Sequence, residues 1–276
     1  MIAGTSKKRF AMCTALALIL CAAIMLTAIG LNLPKATGKS IKKDGKMTID
    51  CSNMSQGYIM VKAKKTSKKL KIRVSTAEAK LLYSLNGNGE YEVIPLQFGS
   101  GKYQIELFEN VKGKDYSKEG TLKLNVKIPD ALSCFLYPNQ YVWYNENTAC
   151  VKHAQKICKG MKDQEKIYKT IRSYVLQNFI YDYGKSYAVQ SMSQQMPDID
   201  GCWSTRMGIC QDLSALTCAM LRSQGIPARL MIGTVGKSTY HAWVVAVVNG
   251  KDKFFDPTAE LGSGNKNATY TTERYY

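Results

Sequence analysis

Histidine is almost missing from this chain: its 276 residues include two, His153 and His241. Imidazole chemistry must therefore use one of these two. CxxC pairs are absent, and no second histidine lies near the first in sequence. The usual zinc-ligand patterns are thus unavailable, and neither a metal nor another cofactor is expected. No acidic run resembles a calcium loop, and no internal repeat or low-complexity tract stands out. Acidic residues are also few, 21 Asp and Glu against 38 Lys and Arg, for a formal charge of +17. Nucleic acid is one common partner for so basic a chain. The lysines, however, are spread along strand-like segments without aromatic interleaving or a binding motif, so nucleic acid is not expected. An anionic cell-wall or membrane surface fits better, with plain solubility as the simpler alternative.

At the N-terminus, Lys7, Lys8 and Arg9 precede an apolar run from Ala11 to about Leu33. Basic residues before an apolar run read as an export signal whose N-terminus stays in the cytoplasm. The run is long for a signal core and close to the length of a spanning helix. Residues 1–38 are therefore expected to be a signal peptide or an N-terminal membrane anchor. Ala28-Ile29-Gly30 and Ala36-Thr37-Gly38 are two possible cleavage sites, and Leu20 before Cys21 is too large for the usual lipoprotein pattern. Either outcome puts the remainder outside the cytoplasm, secreted or tethered.

Residues 39–130 are expected to form a β-sandwich. Period-2 alternation recurs at Met47–Asp50, Tyr58–Val61, Leu70–Val74, Tyr91–Ile94, Tyr103–Leu107 and Leu122–Val126. Turn-rich pieces separate these runs at spacings near ten residues. Gly87-x-Gly89 reads as a turn, since no helix follows it to make a phosphate loop. After a connector from Pro129 to about Tyr144, helices open a second domain over 145–276. Asp163 can cap a helix carrying Ile167, Ile171, Tyr174, Val175 and Phe179. His153, flanked by Lys152 and Gln155, is expected at the surface.

Seven cysteines follow the leader: Cys51, Cys134, Cys150, Cys158, Cys202, Cys210 and Cys218. With Cys210 kept free, the other six could pair in 15 ways. Cys150 and Cys158 sit two helical turns apart, about 12 Å, which is too far for them to bridge. Buried free thiols are the alternative to any pairing.

The functional signal lies further on. Leu213, Leu216, Thr217, Met220 and Leu221 recur at helical spacing, and Gly225 with Pro227 ends that pattern. Cys210 then falls at the first helical turn, where unpaired N–H groups and the helix dipole favour a thiolate. The same groups could stabilise an oxyanion. Cys218, mid-helix, should be an inert core thiol, and Asp212 is a first-turn acid that suits the dipole.

Asn249-Gly250 predicts a two-residue hairpin turn. That register sets Trp243 opposite Asp256 and His241 opposite Thr258, with His241, Trp243 and Asp256 on one face. Asp256 becomes a diagonal neighbour of His241, close enough to orient the ring while the other nitrogen serves Cys210.

The stretch GICQDLSALTCAMLRSQGIPARLMIG, followed by YHAW and FFDPT, resembles the transglutaminase-like superfamily, whose fold is papain-like. The resemblance covers about residues 145–262, and separations of 31 and 15 residues between Cys210, His241 and Asp256 fit that family. It implies Cys210 as nucleophile, His241 as base and acid, and Asp256 as orienter. By the same analogy, Tyr181 in YVLQNFIYD is a candidate for substrate or oxyanion contact. One departure concerns Phe254 and Phe255, which stand where many members have tryptophan.

The expected fold class is thus α+β, an N-terminal β-sandwich before a transglutaminase-like domain. The expected activity is that of an extracytoplasmic thiol enzyme acting on amide bonds of protein or peptide substrates through a thioester. Hydrolysis is slightly favoured over transfer to an amine, because nothing marks an acceptor site. The alternative is a wall-associated binding protein with an idle triad.

Overall fold

The computed structural model describes residues 30–189, 195–263 and 268–276. Most of the apolar N-terminal run lies outside them, and among the described residues no helix is long and apolar enough to cross a membrane.

Eight antiparallel strands come first: β1 (Ile41–Asp44), β2 (Met47–Asp50), β3 (Tyr58–Ala63), β4 (Leu70–Ser75), β5 (Lys80–Leu85), β6 (Glu92–Pro95), β7 (Gly101–Lys112) and β8 (Asp115–Val126). They form two four-stranded sheets, ordered β1-β2-β3-β6 and β5-β4-β7-β8. Period-2 burial gives the second of these sheets an inner face: Leu70, Ile72 and Val74 on β4 are buried, as are Tyr103, Ile105 and Leu107 on β7. The alternate positions carry Lys71, Arg73, Lys118 and Lys123 outward. Five of the six alternating runs lie wholly within strands, and the sixth, Tyr91–Ile94, begins one residue before β6; β1 and β5 escape this pattern because their burial does not alternate cleanly. Gly87 and Gly89 have φ of 69° and 88° and occupy a bend, as a turn requires.

The second half places helices against another antiparallel sheet. The helices are α1 (Ala149–Ile157), α2 (Gln164–Asn178), α3 (Tyr183–Val189), α4 (Ile199–Thr205) and α5 (Cys210–Arg222). Asp163 caps α2 by accepting the Glu165 N–H at 2.9 Å. The sheet is ordered β13-β12-β11-β14, from β11 (Ala228–Val235), β12 (Thr239–Val248), β13 (Lys251–Phe255) and β14 (Tyr270–Tyr275). A two-residue parallel pair, β9 (Ile180–Tyr181) with β10 (Met207–Gly208), leads into α5. Every residue of α5 is buried, so this helix forms the core between the other helices and the sheet.

Residues Asn32–Tyr276 make one compact unit, so the β-rich half and the helical half share contacts. Tyr141 and Tyr276 stack with ring centroids 3.6 Å apart, and Tyr83 meets Tyr276 edge-on at 5.9 Å. The buried Arg222 guanidinium donates to the backbone carbonyls of Ala228, Tyr137 and Tyr276 at 2.8–2.9 Å.

All seven described cysteines are free and buried, Cys150 and Cys158 included. Burial raises the thiols of Cys134, Cys150, Cys202 and Cys218 to about 12, and that of Cys158 to about 11.

Candidate active site

Cys210 is the first residue of α5, which gives its sulfur the setting of a helix N-terminus. Ile209, at the cap position, has no side-chain acceptor of its own. Asp212 returns instead and accepts the Ile209 N–H through Oδ2 at 3.1 Å. The acid does more than face the dipole. It is fully buried, accepts the Asp198 N–H through Oδ1 at 2.9 Å, and pairs through Oδ2 with Lys185 Nζ of α3 at 2.7 Å. One carboxylate thus ties α3, the start of α4 and the approach to Cys210 together. Gly208 is required by close packing, since a Cβ there would lie 2.7 Å from Cys202 Sγ and 3.1 Å from Asp212 Cβ.

His241 lies on β12, which packs directly on α5. Ser214, one helical turn after Cys210, donates to the carbonyl of Ala242 at 3.2 Å. This bond pins the helix face bearing Cys210 to the strand position next to His241. Sequence reasoning missed it, because a serine inside a helix carries no signal for a partner 28 residues away.

Asn249 and Gly250, with φ of 51° and 73°, form the expected hairpin turn, and pairing runs from Val248↔Lys251 to Val244↔Phe255. There it stops. The expected pairs Trp243↔Asp256 and His241↔Thr258 do not form, because the chain turns helical directly after Asp256. Asp256 nonetheless reaches the ring: Oδ2 lies 2.7 Å from His241 Nε2. Oδ1 accepts the N–H groups of Thr258 and Ala259 at 2.9 and 3.0 Å, so the carboxylate also caps the turn that ended the strand.

Exposure is 8% at Cys210, 8% at His241 and 1% at Asp256, so all three are buried. Burial opposes charge on His241, but hydrogen bonds to Asp256 and Cys210 outweigh it and raise the ring to about 9. Burial likewise opposes charge on Asp256. The bond from His241, with those from Tyr270 and Ala259, still holds the carboxyl below its ordinary range. Nε2 is taken by Asp256, which leaves Nδ1 for the thiol. The three candidate residues therefore come together as thiol, imidazole and carboxylate.

Tyr270 was not foreseen. Its hydroxyl donates to Asp256 Oδ2 at 2.7 Å, from a strand whose pairing partner β11 lies over 30 residues earlier. Tyr181 stands near Cys210, and its hydroxyl bonds Ser186 Oγ at 3.1 Å. With Ile180, Tyr183, Gly184, Met207 and Leu261 it lines an open depression of about 410 Å³. Phe255 is buried, while Phe254 is half exposed and meets the Tyr270 ring edge-on at 4.9 Å.

His153 is placed differently from expectation. It is partly buried against Tyr174 at 4.3 Å and Trp203 at 5.3 Å, and its Nε2 is buried without a hydrogen-bond partner among the described residues. Burial, then the nearby Arg206, lowers its proton affinity. Its polar neighbours in sequence hid an inward-facing position on α1. No group of three or more His, Cys, Asp and Glu among the described residues could hold a metal ion.

No curated protein matches the chain. Among solved structures, it is similar to a candidate cysteine protease from Cytophaga hutchinsonii at 16% identity and a TM-score of 0.38, over 86% of this chain and 90% of that one. The periplasmic domain of TgpA from Pseudomonas aeruginosa matches at 14% identity and a TM-score of 0.36, over 83% and 76% of the two chains. A TGase matches at 19% identity and a TM-score of 0.35, over 43% and 31%. The family model of the transglutaminase-like superfamily matches residues 151–255, which takes in Cys210 and His241 and stops one residue short of Asp256. Residues 151–255 of this chain therefore belong to the transglutaminase-like superfamily.

Proposed function

We propose that this chain is an extracytoplasmic thiol enzyme that acts on amide bonds of protein or peptide substrates. The observation that carries this reading is the His241 ring held between Asp256 Oδ2, at 2.7 Å, and the Cys210 thiol. In the proposed reaction the Cys210 sulfur attacks the amide carbonyl and forms a C–S bond. Charge then develops on the carbonyl oxygen, and N–H groups at the start of α5 would receive it. Protonated His241 gives its proton to the departing amine as the C–N bond breaks, leaving a thioester. Water attacks next, His241 takes its proton, and the acid product leaves with the thiol restored.

Hydrolysis is favoured over transfer to a second amine, because nothing among the described residues marks an acceptor site. The depression lined by Ile180, Tyr183, Met207 and Leu261 would accept an apolar part of the substrate. Localisation outside the cytoplasm follows from the basic-then-apolar N-terminus. The outward lysines of the β-rich half favour a second, compatible role, attraction to an anionic wall or membrane surface.

The test is a Cys210-directed acyl probe offered with peptide and cell-wall fragment libraries. Accumulation of an acyl-enzyme on Cys210, absent in Cys210→Ala, supports the reading. An unlabelled Cys210 across all acyl donors would contradict it and favour the binding role alone.

A further inference from the structure

Four hydrogen bonds meet on the Asp256 carboxylate. Oδ1 takes the backbone N–H groups of Thr258 and Ala259, and Oδ2 takes both His241 Nε2 and the Tyr270 hydroxyl, each at 2.7 Å. Tyr270 is the most remote of these partners in terms of strand order. It comes from β14, which reaches the site only by pairing with β11, where Val235 sits opposite Tyr270. Its ring is held on several sides: edge-on to Trp243 at 5.1 Å, edge-on to Phe254 at 4.9 Å, and 6.1 Å from the His241 ring.

We propose that Tyr270 is a positioning residue for the triad, acting through Asp256: its hydroxyl shares Oδ2 with His241 and so limits how strongly the carboxylate attracts the imidazole proton. A neutral donor on the same oxygen disperses charge that would otherwise act on His241 alone. The hydroxyl cannot easily become an anion itself, because burial and the adjacent carboxylate both hold its proton in place. Oδ1 stays anchored by two N–H groups when the hydroxyl is removed, so the carboxylate keeps its position and only its charge distribution changes. The inference rests on the triad reading for its catalytic meaning. Its test follows the ring proton and not turnover, so it is decided separately from whether Cys210 attacks anything.

The experiment is an NMR titration of the His241 ring in protein carrying ¹⁵N-labelled histidine. Only two histidines are present, and His153→Gln assigns the signals. In Tyr270→Phe, which keeps the ring packing, the His241 midpoint should rise by about 0.5 pH unit, the size expected for one hydrogen bond to a charged group shared over a neighbour. A second variant guards against misfolding: 3-fluorotyrosine at position 270, a stronger donor that burial and Asp256 keep protonated through the titration, should lower the midpoint. Shifts of opposite sign in the two variants support the proposal. A midpoint that stays put, or moves the same way in both, overturns it.

Discussion

His241 and Asp256 are joined at 2.7 Å although strand pairing ends one residue before Asp256. Register alone would have aimed the carboxylate only roughly. The bond forms because the chain turns helical after Asp256, and the carboxylate caps that turn with its other oxygen. Asp256→Asn keeps the size but exchanges an acceptor oxygen for an amide that can present a donor to Nε2. The variant should fold and yet lose reactivity at Cys210 by on the order of 10²–10⁴-fold, as expected when an orienting carboxylate is neutralised. Probe-labelling rates on variant and parent check this.

The triad should also shape stability against pH. His241 has a folded value raised from 6.5 to about 9, so its contribution is complete below pH 6.5 and is lost as pH climbs through 9. Asp256 has a folded value below its ordinary 3.8, so its contribution is complete above that value and is lost as pH falls further. Their joint contribution is therefore whole between about pH 4 and 6.5. Thermal melts from pH 6.5 to 9.5 should show a steeper fall for the parent than for His241→Gln.

Arg222 joins the helical core to the connector and to the end of the chain through three carbonyls. Arg222→Met fills similar volume but removes all three bonds; the Tyr276 oxygen keeps the Leu230 N–H, and the loss costs about 3 kcal/mol. A melting temperature lowered by roughly 6–12 °C is expected for a chain of this size. Differential scanning calorimetry reads it directly.

Gly233 pairs with His241 across β11 and β12, at a register shift in the pairing with β14. A Cβ at this position would lie 1.9 Å from the Thr271 carbonyl oxygen. Gly233→Ala must push β14 outward, costing about 1–3 kcal/mol. Tyr270 moves with that strand, so the ring contact with Trp243 loosens. Increased solvent exposure in Trp243 fluorescence, measured in a background lacking the other tryptophans, is the expected sign.

Local chemistry made much of this arrangement legible. Alternating Lys with Ile, Leu and Val marked the strands, Asp163 marked the start of α2, and Asn249-Gly250 marked the hairpin that carries His241. The thiol was readable from its place at a helix start, and the imidazole and carboxylate from the hairpin together with the family motifs. Relationships set by tertiary packing were not. Tyr270 meets Asp256 through a strand added at the sheet edge, Ser214 clasps Ala242 from a helix interior, and Lys185 reaches a buried Asp212. His153 was misplaced for the same reason: polar neighbours along α1 say little about which side faces the Tyr174–Trp203 pair.

The central claim is that His241 activates the Cys210 sulfur. Peptide-mapped alkylation of all seven described cysteines, followed against pH in the parent and in His241→Ala, tests it most directly. One fast, pH-sensitive site at Cys210 near neutrality, lost in the variant, is the predicted result. Slow alkylation of Cys210 at the pace of an ordinary thiol, unchanged by the loss of His241, would contradict it.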